Sequence, residues 1–304
     1  MRTTRSKRLV AQLPLLAWIE ILEIMALVQS LLVLTNALWN WGFLLFDTSS
    51  LSRALSLPGS GSGNATTPAI YDWYEAHYTS ICYGMWNDHV FKSGRNMSAG
   101  SPRFCATQAL GYTFSLARVL SESEDIAKST NTTVLNALAS YSTVDLKAPV
   151  ALLIVGIIFT GLSQVLYLDT IFALVATNMR EERLITMLRV AFLSSIPAVI
   201  TLTISAAKIT ARARQIQSGL FSKSVDLRSS VTVSVSVKAH LGSGFYSATW
   251  TATGFMWLAL ALEVVTALRI AGAMNRHCTT SHATNSEPVV HGKRDVYAEV
   301  KMEM

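Results

Sequence analysis

Glu20 and Glu23 lie one helical turn apart near the start of a long apolar stretch, WIEILEIMALVQSLLVLTNALWNWGFLLF. Two carboxylates at that spacing beside a bilayer could hold an ion or relay a proton, because an ionisable group near hydrocarbon is costly unless it is used. An amphipathic turn at the membrane interface accounts for them equally well. Asp169 and Glu263 read as helix-end residues of their own spans. His77 and His89 flank Cys82 without the spacing of a zinc site, and His277, Cys278, His282 and His291 in the tail also lack it. His77 alone has the chemistry of a pH sensor. The sequence contains no phosphate-binding glycine loop, nucleophile elbow or His-Glu-x-x-His motif, and it reads as a non-enzyme with no cofactor. Cys82 and Cys105 are a lone pair within one loop, so an oxidising compartment would bridge them, contributing about 3 kcal/mol. Cys278 lies beyond the last apolar segment close to Arg276 and is a palmitoylation candidate.

The elements that position these residues follow from where the apolar residues fall. Only 14% of the 304 residues are charged, and the mean hydropathy is +0.37. A soluble chain carries roughly 25% charge, so a soluble globule and a disordered chain are both excluded. The formal charge of +6 is not gathered into one basic stripe, which argues against a nucleic-acid partner. Four intervals lack Asp, Glu, Lys and Arg: 24–46, 148–168, 190–207 and 241–262. Each approaches the ~20 residues a helix needs to cross the bilayer. Pro197 in the third is acceptable within a membrane helix. Placing Glu20 and Glu23 at mid-bilayer would cost roughly 5–7 kcal/mol, so the first span is set to begin near residue 21.

Arg2, Arg5, Lys7 and Arg8 precede that span without an acidic residue among them, which places the N-terminus in the cytosol. The apolar run continues to residue 46 without a clear small-x-small site, favouring a retained span over a cleaved leader. The resulting layout is a basic cytosolic N-terminus (1–20), TM1 (21–46), an outer loop (47–147), TM2 (148–168), a cytosolic connector (169–189) and TM3 (190–207). A second outer loop (208–240), TM4 (241–268) and a cytosolic tail (269–304) complete it. The second outer loop holds six basic residues, which opposes this orientation; the N-terminal cluster outweighs it. The first outer loop contains the glycosylation sequons at Asn64, Asn96 and Asn131. Its aromatic cluster includes Tyr71, Trp73, Tyr74, Tyr78, Tyr83 and Trp86, followed by an amphipathic helical pattern from Leu116, Val119 and Leu120 onward. In the second outer loop, valines at 231, 233, 235 and 237 alternate with polar residues, which predicts a strand over 229–241. That strand needs neighbours and finds them in the aromatic part of the first loop. The fold class is an all-α four-helix transmembrane bundle with a small extracellular β-rich cap.

The stretches HYTSICYGMW and FCATQALGYTFSLARVL, and the approach to the last span VKAHLGSGFYSATWTATGF with Trp250, resemble the fungal Sur-seven/PalI family. These are four-pass proteins with a claudin-like layout. The resemblance covers roughly residues 20–272. Cys82 precedes the Gly84-Met-Trp86 segment, a departure from the claudin order, so no paracellular function is carried over. The resemblance implies a plasma-membrane protein of the fungal cortex that acts in eisosome-type compartments, in cell-wall organisation, or in ambient-pH signalling. The function this favours is a non-catalytic organiser of cortical membrane compartments. The alternatives are a PalI-type component of pH sensing and an ion- or calcium-transport accessory that uses Glu20 and Glu23. The implied partners are the lipid bilayer, anionic headgroups at the N-terminus, a cell-wall polymer, and lateral membrane proteins or further copies packed through Gly156, Gly161 and Ser163.

Overall fold

The computed structural model describes residues 12–35, 42–51, 70–85, 103–121, 142–175, 181–221, 225–228, 232–235 and 237–284. The chain divides into two units, Met1–Glu263 and Val264–Met304. Five helices and nine strands are described. They are α1 (Leu13–Thr35), β1 (Leu44–Asp47), β2 (Trp73–Ala76), β3 (Ser80–Gly84), β4 (Arg103–Thr107), β5 (Thr113–Phe114), α2 (Leu116–Ser121), β6 (Val144–Asp145), α3 (Lys147–Val175), α4 (Glu181–Phe221), β7 (Val225–Arg228), β8 (Thr232–Val235), β9 (Lys238–Leu241) and α5 (Ser243–Thr284). The helices α1, α3, α4 and α5 each contain a segment long and apolar enough to cross a membrane.

These four helices are inside-out relative to those of a soluble protein. On α1 the outward face carries Trp18, Ile21, Ile24, Met25, Val28 and Leu31, whereas the buried stripe is Leu16, Ile19, Glu20, Glu23, Ala26, Ser30 and Val33. Lipid tails are as apolar as leucine, so the large apolar side chains gain nothing by turning inward. Small and polar residues allow close approach instead. A Cβ on Gly156 of α3 would run into Leu202 of α4, and Ser205 of α4 donates to the Pro149 carbonyl at 2.7 Å. Trp250 and Trp257 donate their indole N–H groups to Thr210 and Thr203 at 3.2 and 3.1 Å, joining α5 to α4.

The principal sheet has strand order β4-β3-β2-β1-β9, antiparallel throughout. It draws four strands from the region after α1 and one from the approach to α5. Its core is continuous with the bundle: Phe43, Tyr78 and Phe245 form a three-ring cluster with centroids 5.3–6.2 Å apart, and Phe46 stacks on Phe114 at 5.2 Å. Buried Val150, Leu202 and Met256 from three helices belong to the same apolar core. The helix α3 starts where the Asp145 carboxylate accepts the Lys147 amide at 3.1 Å, an N-terminal cap followed at once by Pro149. Arg212 of α4 donates to the Thr143 carbonyl at 2.8 Å, tying the end of α4 to the segment that precedes α3.

Several expectations change. The first helix begins at Leu13, eight residues before the expected start of the span, and residues 44–46, placed within that span by hydropathy, form β1 together with Asp47. An apolar run can be an inner strand of a buried sheet as readily as a membrane segment, and here LLF lies in β1, paired with β2 on one side and β9 on the other. The second and third apolar helices are longer than their expected spans, and the third carries Lys208, Arg212 and Arg214 on its helical extension. The alternating valine run is not one strand: β8 pairs with β7 in a separate hairpin, and only β9 joins β1. Sequence alternation fixes which face is apolar but not which neighbour a strand chooses. Of the residues expected to mediate lateral packing, Gly156 and Ser163 are buried inside the bundle, while a Cβ on Gly161 would meet open space.

Candidate functional site

Among the described residues, two places bury acidic side chains. The first is within the helices. Glu20 is 5% exposed, Glu23 0% and Glu263 3%, in a layer that includes the apolar cluster of Leu16, Ile19, Tyr167, Ala191 and Ala259. Glu23 is one turn from Glu20, so the stripe that turns one inward turns both. Ser163 of α3 donates to Glu23 Oε1 at 2.8 Å, and Ser195 of α4 donates to Glu263 Oε1 at 2.7 Å. The two serine hydroxyls are 2.9 Å apart. Ser195 also lies 3.3 Å from Glu23 Oε1 and 3.1 Å from the Ala191 carbonyl. Tyr167 sits against the same acids and interacts with Glu263. One polar network thus runs through all four long helices.

Among the described residues of α3 and α4, Asp169, Arg183 and Arg189 are exposed. Both oxygens of Glu20, the second oxygens of Glu23 and Glu263, and the Gln164 amide nitrogen are buried without a hydrogen-bond partner. Among the described residues, no three His, Cys, Asp or Glu side chains converge as metal ligands would. Glu20 and Glu23 thus turn toward the other helices, and Glu263 is buried rather than a solvated helix end. Serine donors offset the burial cost at Glu23 but not at Glu20. Sequence reasoning passed over Tyr167 and Ser195 and read Ser163 only as a small residue for lateral packing. The signal was present: Ser163 and Tyr167 are four apart on one helix face, and polar residues recur at helical spacing along α1.

The second place is the sheet. Glu75 of β2 accepts the Gly42 amide at 3.0 Å, and its other carboxylate oxygen lies 3.4 Å from His77 Nε2; both residues are buried. The Tyr112 hydroxyl donates to the His77 carbonyl at 2.8 Å. Burial raises the Tyr112 and Tyr78 phenols above their ordinary range and pushes Tyr74 up to about 12. Glycine is required where the sheet meets the helices, because a Cβ on Gly42 would strike the Glu75 side chain and one on Gly242 would fall on the Gly42 carbonyl oxygen. Cys82 and Cys105 face each other across β3 and β4 and are joined by a disulfide. Tyr71, Tyr83 and Phe104 form an aromatic row on the sheet, with Phe104 half exposed at its outer strand.

His89, His291, Asn64, Asn96 and Asn131 lie outside the described residues. Of Cys278, His277 and His282, only the helical backbone of α5 is described.

A family model described as the SUR7/PalI family matches residues 11–262. The chain belongs to that family. No curated protein matches the sequence. The four apolar helices and the family together make this a multi-pass membrane protein in contact with the lipid bilayer.

Proposed function

We propose that this SUR7/PalI-family protein organises compartments of the plasma membrane at the cell cortex, and with them cell-wall architecture, without catalysing a reaction. One observation supports this above the others: the sheet and the four helices share a single apolar core, from Phe43 and Phe46 through Tyr78 and Phe245 to Leu202 and Met256. Whatever holds such a cap holds the helices beneath it. In this reading the cap faces outward, the sequons at Asn64, Asn96 and Asn131 carry glycans, and both termini are cytosolic. Arg2, Arg5, Lys7 and Arg8 lie on anionic headgroups, and an acyl chain on Cys278 adds a second anchor. The half-exposed row ending at Phe104 offers a stacking surface to a wall polymer. Lateral partners or further copies meet the exposed α3 face of Ile158, Gly161, Leu162 and Val165. A C-terminally tagged copy at native expression should give cortical patches with slow fluorescence recovery and a mobility shift with endoglycosidase. A uniformly diffusing signal would remove the organiser reading.

The buried carboxyl network favours a second reading, in which the protein serves a PalI-type response to external pH. That reading predicts growth failure at alkaline pH on deletion, and normal growth there would remove it.

A further inference from the structure

The chain of contacts Glu23–Ser163–Ser195–Glu263 has three O···O separations of 2.8, 2.9 and 2.7 Å. Each is a hydrogen bond by length, and each consumes one hydrogen. Two serine hydroxyls bring two hydrogens, and an ionised carboxylate brings none. A carboxyl group must supply the third. We propose that Glu23 and Glu263 hold one proton in common across the Ser163–Ser195 bridge, which makes the bundle core a proton-binding site with two interchangeable ends.

The alternative acceptor for the serine hydrogens is the Ala191 carbonyl. Other hydroxyls on these helices bond to the carbonyl four residues back, at 2.7–2.9 Å, among them Thr35, Thr160, Thr170, Thr201, Thr203, Thr210, Thr249 and Thr253. For Ser195 the same contact is 3.1 Å, and its shorter contact is to Glu263. Its hydrogen has left the helix backbone for the acid. In one arrangement Glu23 donates to Ser163, Ser163 to Ser195, and Ser195 to the Glu263 carboxylate. In the other, Glu263 donates to Ser195, Ser195 to Ser163, and Ser163 to the Glu23 carboxylate. Interconversion breaks three O–H bonds and forms three, moves one negative charge from one acid to the other, and needs no further reagent.

Glu20 points the same way independently of the bridge. It is nine-tenths buried, both its oxygens lack a partner, and it lies close enough to Glu23 and Tyr167 to act on both electrostatically. A proton on Glu20 removes the charge from that unpartnered carboxyl. Among the described residues, the titratable groups facing the site are Glu20 and Glu23 from α1, Tyr167 from α3 and Glu263 from α5. From α4 come serine hydroxyls alone, with Arg183 and Arg189 exposed. The inference rests on neither functional reading above.

The test is infrared difference spectroscopy of the full chain in lipid nanodiscs at neutral pH, read at the carbonyl stretch of a protonated carboxylic acid with and without deuterium exchange. Glu20→Gln is the background, so that only the bridged pair contributes, and Glu20→Gln/Glu23→Gln/Glu263→Gln is the reference. The expected signal is one acid per chain. Adding only Glu23→Gln, or only Glu263→Gln, should abolish it, because the amide N–H supplies the third hydrogen and the remaining acid ionises. No acid band in the background protein, or two acids per chain, overturns the proposal. So does a band that survives either single addition. If an added substitution fails to fold, the band intensity of the Glu20→Gln protein still decides between one proton and none or two. Exchanging potassium for sodium or calcium should leave the band unchanged, and its loss with either cation would make this a cation site and overturn the shared proton.

Discussion

The protein buries acids twice and solves the problem in two ways. In the sheet, Glu75 has an imidazole 3.4 Å away and a backbone amide at 3.0 Å. In the helices, Glu23 and Glu263 have hydroxyls and each other's neighbourhood, with the arginines turned outward. The difference follows from the surroundings. Where backbone donors and a basic side chain can be brought in, a carboxylate can stay charged. Among packed helices the backbone amides are already used, a buried cation would add its own desolvation cost, and a proton is the cheapest neutraliser.

Four measurements would break or sharpen that contrast. The largest effect is expected at the Glu75–His77 pair. His77→Ala leaves the buried Glu75 with the Gly42 amide but without its imidazole, and should cost about 3 kcal/mol of stability in thermal unfolding in detergent. A loss no larger than that of the helix variants would mean that the sheet does not depend on the pair.

Next comes alkaline pH, which should attack the sheet before the helices. An unfolded tyrosine ionises near 10, whereas burial holds folded Tyr74 up to about 12 and raises Tyr78 and Tyr112 in the same direction. The unfolded state therefore loses protons first, so the stabilisation is complete below pH 10 and declines as pH rises toward 12. Tyr74 alone contributes about 2 kcal/mol to that decline. Disulfide-shielded sheet signals that persist through pH 12 would contradict it.

A smaller cost follows from Ser195→Ala, which removes the donor to Glu263 and should lower stability by about 1 kcal/mol. The smallest belongs to Glu23→Gln, which replaces a carboxyl by a neutral group of the same shape and should change the unfolding midpoint by less than about 0.5 kcal/mol equivalent. A loss comparable to that of His77→Ala would show that a neutral amide cannot take the place of the Glu23 carboxyl, and the two sites would no longer differ in kind.

The sequence makes some of this plain and hides the rest for physical reasons. Charge-free blocks mark four helices because hydrocarbon excludes charge. The two cysteines of one loop lie at paired positions on adjacent strands. Glu20 and Glu23 stand out as residues of interest, but their placement depends on helix rotation, and rotation depends on partners that the local sequence does not contain. Glu263 and Ser195 meet across 68 positions, and no local pattern links them. The first helix boundary fails for a related reason: hydropathy cannot separate a lipid-facing run from LLF in β1, whose apolar side chains are buried in the cap. The long valine alternation is the most regular pattern in the chain, yet β8 pairs within a hairpin and the shorter KAHL segment completes the main sheet.

The pairing of β1 with β9 also imposes a timetable. Leu44 emerges early in synthesis, and its partner Leu241 is among the last residues before the final apolar helix. At ~5–20 residues per second, roughly 10–40 s separate the two. During that interval β2, β3 and β4 can align and Cys82 can find Cys105, while one edge of β1 presents unpaired backbone groups. Closure of the sheet therefore reports that the last helix has been delivered in the right direction. A chain whose final helix is misinserted keeps that edge open, and the fold carries its own signal of incomplete assembly.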